Sequence, residues 1–141
     1  MSARRFAMAT VAGAAAVLII GLVTEVLFGG LFTGFAVTAP ELVMKSSPNV
    51  WTIVLGAVAM GALLTVLLGC WTGHTGTKKA LGTSAVFGLL LHLFLGLSLF
   101  GMTTMLSLTG TLVKIVIDTV QVALTGMAVG YVLGRTGQAE A

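Results

Sequence analysis

Five side chains that ionise or hydrogen-bond strongly interrupt otherwise apolar runs: Glu25, His92, Lys114, Asp118 and Gln121. Two carboxylates, one ammonium and one imidazole sum to zero charge with His92 protonated and to one negative charge with it neutral, which suits a group that binds or relays a single proton. Spacing links three of them. Lys114 and Asp118 are four residues apart, and Gln121 and Thr125 follow at i+7 and i+11, so a helix would carry all four as one polar stripe. His92 stands in GLLLHLFLG, with Gly88 four residues before it and Gly96 four after. On a helix, no side chain then lies directly above or below the imidazole. Such clearance suits a flat macrocycle held through the ring, a haem or chlorophyll-type pigment with His92 as axial ligand, and it equally suits close approach of another helix. A bis-histidine haem finds no second ligand at matching depth, because His74 falls in the polar connection TGHTGTKK.

The elements that must position these residues follow from composition. With 57% hydrophobic and 8% charged residues and a mean hydropathy of +1.12, the chain is one that water would not dissolve, and it reads as an integral membrane protein. Its 141 residues leave room for one all-α transmembrane domain, a four-helix bundle, since each crossing takes about 20 residues of helix. The formal charge of +3 and pI near 9.5 do not point to nucleic acid, because the seven Lys and Arg gather mainly at segment ends. Cys70, the only cysteine, has no disulfide partner and no CxxC or Cys/His set around it, and reads as a packing residue near a helix end.

Four apolar segments are predicted at 6–32, 50–71, 80–100 and 108–133. Pro40, Glu41, Lys45 and Pro48 mark a true loop after the first, with room for a short interfacial turn and with Trp51 as a headgroup anchor. The last two segments form a tight hairpin around GMTTMLSLTG. Arg4 and Arg5 resemble the start of a secretory signal, but the apolar stretch is too long for one, and the best cleavage site, Val37-Thr38-Ala39, is followed by Pro40. A retained helix is expected. Arg4, Arg5, Lys78, Lys79 and Arg135 fall on one side and Lys45 on the other, so both termini are expected in the cytoplasm. Lys78 and Lys79 are also placed to meet anionic lipid headgroups.

At about 1.5 Å rise per residue, Glu25 and Lys114 each lie roughly 9 Å from the outer helix ends, and His92 and Asp118 roughly 12–15 Å, so two polar layers are expected. Small residues indicate where helices approach. Gly126, Gly130 and Gly134 repeat at four-residue spacing, while Ala57 and Gly61, and Gly88 and Gly96, offer partner surfaces. No GxSxG, HExxH, P-loop or Cys/His metal spacing occurs, so enzyme chemistry is not expected.

LVKIVIDTVQVALTGMAVGYVLGR resembles the last helix of a group of small, uncharacterised four-helix bacterial membrane proteins, in which an apolar stretch with one embedded acidic residue leads into a glycine-spaced, basic-capped end. Asp118, Gly126, Gly130 and Gly134-Arg135 carry the resemblance, and the tryptophan of PNVWTIVLG is similar. It implies a four-helix topology in a bacterial inner membrane and brings no activity. Taken together, these features suggest a packing or accessory subunit of a larger or homo-oligomeric membrane assembly, in contact with lipids and other subunits or its own copies. The competing expectation is a minimal proton- or ion-coupled transporter or channel formed by oligomerisation, with Glu25, His92, Lys114 and Asp118 along its route.

Overall fold

The computed structural model describes residues 1–39, 49–73 and 76–139. The predicted loop around Pro40, Glu41, Lys45 and Pro48, and His74 in the next connection, lie outside them. Four helices are formed: α1, Ala3–Phe35; α2, Val50–Val66, continued by a wider π-helical turn, Leu67–Trp71; α3, Thr77–Met102; and α4, Leu108–Ala139. Each contains a stretch long and apolar enough to cross a membrane, with mean hydropathy between 1.7 and 2.4. α2 with its π-helical turn matches the predicted segment 50–71, while α1, α3 and α4 outrun theirs, since helical hydrogen bonding continues after hydropathy fades. Ser2 starts α1 by accepting a hydrogen bond from the Arg5 N–H at 3.3 Å. Gly76 precedes α3 with φ of 113°, a conformation that side chains disfavour.

The four helices stand in a row, α2–α1–α4–α3, with neighbours antiparallel. α1 packs against both α2 and α4, and α4 against both α1 and α3, while α2 meets α4 less extensively, at the end where Leu64 and Leu68 join Val129 and Leu133. The bundle expected from the sequence is therefore laid open, because α3 offers only one small-residue face and spends it on α4.

Small residues make each seam. Between α1 and α2, a Cβ at Gly61 would stand 2.5 Å from the Thr10 carbonyl oxygen, and one at Gly13 would stand 2.8 Å from Gly61 Cα. Ala57 is buried one turn along α2, and Thr65 Oγ1 donates to the Gly61 carbonyl at 2.8 Å. Between α3 and α4, Gly126 lies under the Ser84 side chain, Gly130 under Ala80, and Gly134 beside Gly76. The Gly76 N–H donates to the Gly130 carbonyl at 3.0 Å, joining backbone to backbone across that seam. Further along, Gly88 accepts Val122 and Gly96 accepts Ile115, each so closely that an added Cβ would fall within 2.9 Å.

The two ends of the row are tied differently. At the end holding the N-terminus, Leu64, Leu68, Val129 and Leu133 are fully buried in one cluster, and Arg5 Nη2 donates to the Leu133 carbonyl at 2.7 Å. At the opposite, bridged end the backbone makes a short antiparallel link. The Val37 N–H donates to the Met105 carbonyl and the Ser107 N–H to that of Phe35, both at 3.0 Å, and the Thr38 hydroxyl donates to the Thr104 carbonyl at 2.7 Å. α1 is thereby fastened to the α3–α4 connection.

Adding a side chain to the α3–α4 seam should loosen the fold. Gly126→Val, which drives a branched side chain into Ser84, is expected to cost about 1–3 kcal/mol and to lower the melting temperature of the solubilised protein. Gly30→Ala, at a position with nothing within 4 Å, is expected to leave it unchanged or slightly higher. Equal melting of the two variants would contradict this packing.

Candidate functional site

A half-enclosed cavity of about 360 Å³ opens between α3 and α4 in the bridged half of the molecule. Glycine governs its position. Where Gly88 and Gly96 meet Val122 and Ile115 the helices touch, and the cavity lies beside and beyond those contacts, roofed by Met105 and Leu106 of the connection. Its wall is mostly apolar, with Leu95, Leu99, Phe100 and Ile115 prominent. His92, Lys114 and Asp118 supply its ionisable groups.

Lys114 and Asp118 close on each other along α4. Lys114 Nζ lies 2.9 Å from Asp118 Oδ2 and donates to Oδ1 at 3.1 Å, and the same ammonium stands 5.4 Å from the centre of the Phe32 ring on α1. The pair cancels two charges that would each be costly in apolar surroundings, and the aromatic face adds a cation–π contact. His92 turns Nδ1 back to its own helix, 2.8 Å from the Gly88 carbonyl oxygen. A carbonyl oxygen only accepts, so this hydrogen bond assigns a proton to Nδ1, and when the ring is neutral Nε2 is an acceptor. Among the described residues nothing bonds to Nε2.

The remaining sequence candidates lie elsewhere. Gln121 points from α4 to α1, where Nε2 donates to the Val17 carbonyl at 3.4 Å, and Thr125 is buried with its hydroxyl donating to the Gln121 carbonyl at 2.8 Å. The polar stripe of α4 thus divides between two neighbours. Glu25 is exposed on α1, its carboxylate lying along its own helix beside Gly29, and no ion pair to it forms among the described residues. The carboxylate that Lys114 meets is Asp118, because a partner one turn away on the same helix is closer than one at equal depth on another. His92 and Asp118 do share one cavity.

A flat macrocycle does not fit the face that suggested it. The room left by Gly88 and Gly96 is filled by Val122 and Ile115, so a ring laid across those glycines would collide with α4. Among the described residues, no three of His, Cys, Asp and Glu converge as metal ligands would.

Comparison with protein-family models, curated proteins and solved structures finds no match. The functional reading rests on the chain's own residues. Sequence reasoning passed over several of these. Phe32 beside Lys114 carries no sequence signal, since its partner lies on a helix distant in the chain. Ser84, fully buried with no hydrogen-bond partner for Oγ among the described residues, was hidden among the many hydroxyls. Gly13 was legible in the small-residue run AGAAA.

The ion pair should behave as a unit. Asp118→Asn, which strands the Lys114 ammonium, is expected to lower stability by more than the ~1 kcal/mol typical of an exposed pair. Adding Lys114→Met should recover most of the loss, as read by thermal melts in lipid nanodiscs. Additive effects of the two substitutions would show the charges to be independent.

Proposed function

We propose that the protein is an integral membrane protein of a bacterial inner membrane, both termini cytoplasmic, serving as an accessory subunit that docks through α3 onto another membrane chain or a second copy of itself. The observation that carries this reading is the isolation of α3. Only 6% of its most apolar stretch is buried within the molecule, against 33% for α4, and among the described residues its one extensive contact is with α4, which leaves the rest of its surface uncovered. Leu90 and Phe94, at 63% and 70% exposed, lie on the face turned away from α4. In lipid such a helix has no hydrophobic reason to stay separate or to associate, so shape decides. An edge helix with a bulky apolar face is suited to completing a larger assembly.

The orientation draws support from charge. Arg4, Arg5, Lys78, Lys79 and Arg135 all belong to the end that holds the N-terminus, whereas Lys114 belongs to the bridged half. A transport role draws less support, since Glu25 stands apart from His92, Lys114 and Asp118, and Gln121 turns towards α1. Within one chain, only His92, Lys114 and Asp118 of the expected route share a cavity.

Cross-linking from native membranes tests the docking role. With Cys70→Ser as background, Leu90→Cys and Phe94→Cys carrying a maleimide–diazirine reagent are expected to give protein adducts of discrete mass. Val26→Cys, 77% exposed on α1, is expected to give far fewer. Only lipid adducts from all three positions would remove the accessory-subunit reading.

A further inference from the structure

The cavity beside His92 combines three features that together specify a ligand. The first is an unfilled hydrogen-bond acceptor. With Nδ1 committed to the Gly88 carbonyl, Nε2 of the half-buried His92 has no partner among the described residues and stays accessible from the cavity, where it can accept from a ligand donor. The second is a donor on a neutralised pair. Lys114 has three N–H groups, and the Asp118 carboxylate does not exhaust them. Because that pair is already closed, a ligand bearing net charge would leave an uncompensated ion in the cavity, so a neutral head is selected. The third is size and access. At about 30 Å³ per small group, a space of about 360 Å³ takes roughly a dozen non-hydrogen atoms, enough for a compact head and the first carbons of a chain. Leu99 and Phe100, 55% and 39% exposed at its wall, continue onto the outer apolar surface of α3, where the rest of a chain would lie.

We propose that this cavity binds a neutral, hydroxyl-bearing acyl lipid of the monoacylglycerol type. A head hydroxyl donates to His92 Nε2, the ester carbonyl accepts from Lys114, and the acyl chain leaves between α3 and α4 over Leu99 and Phe100. The binding needs the membrane placement of the chain but not its accessory role, so either can fail without the other.

The test uses the full chain in phosphatidylcholine nanodiscs with a diazirine-bearing 1-monoacylglycerol, and mass spectrometry to locate the photoadducts. Labelling is expected on cavity residues of α3 and α4. It should fall about five-fold with the same acyl chain as a methyl ester, which lacks the hydroxyl, and by a similar factor in His92→Phe, the weight of one neutral hydrogen bond. Leu99→Trp, which fills the space without touching a polar group, should abolish it, and this variant decides the matter should His92→Phe fail to fold. Excess monoacetin, the head with only an acetyl chain, should not compete. Equal labelling by the methyl ester, adducts outside the cavity, or labelling that survives Leu99→Trp would overturn the proposal. Full competition by monoacetin would also overturn it, in favour of a water-soluble solute.

Discussion

Close backbone contact along Gly126, Gly130 and Gly134 holds α3 against α4, and with it the wall that carries His92. In lipid, hydrocarbon tails solvate a helix as well as another helix does, so association depends on packing and on interhelical hydrogen bonds. This seam supplies both. Ala80 and Ser84 settle onto bare glycine backbone, and the Gly76 N–H reaches across to the Gly130 carbonyl at 3.0 Å. Ser84 Oγ, buried with no hydrogen-bond partner among the described residues, rests over Gly126.

From that contact the other features follow. Because α3 spends its single small-residue face on α4, its remaining surface is left apolar and unpaired, and the helices form an open row. Because the same two helices meet again at Gly88–Val122 and Gly96–Ile115, a cavity is left beside those contacts. The ionisable groups around it are managed locally: Lys114 by Asp118 one turn on and by Phe32 from α1, His92 by its own helix. One ring nitrogen and the spare ammonium hydrogens are what the cavity presents to a ligand.

Hydropathy made the four helices legible, since runs of apolar residues interrupted by TGHTGTKK and by proline leave little choice. Glycine spacing on α4 likewise announced a close neighbour. Which neighbour it was did not follow, because Ala57 and Gly61 on α2 offer a small-residue surface of the same kind as Gly88 and Gly96 on α3. Depth estimates placed Glu25 level with Lys114 and His92 level with Asp118. Depth says nothing about the angle around a helix, and that angle turns Glu25 away while bringing His92 and Asp118 to the same cavity. The glycines flanking His92 read equally as room for a helix or for a ring, and only the positions of Val122 and Ile115 decide between them.

The α3–α4 seam is tested most directly by a disulfide across it. In a Cys70→Ser background, the Cβ atoms of Gly88→Cys and Val122→Cys would stand 2.9 Å apart before relaxation, so the helices must ease apart locally to reach the ~3.5–4.5 Å of a disulfide. Mild oxidation in membranes should give a rapid intramolecular cross-link, reversed by reductant, whereas Gly88→Cys with Val120→Cys, on the opposite face of α4, should give none. Absence of the first cross-link, or equal yield from both pairs, would contradict the seam and the cavity built on it.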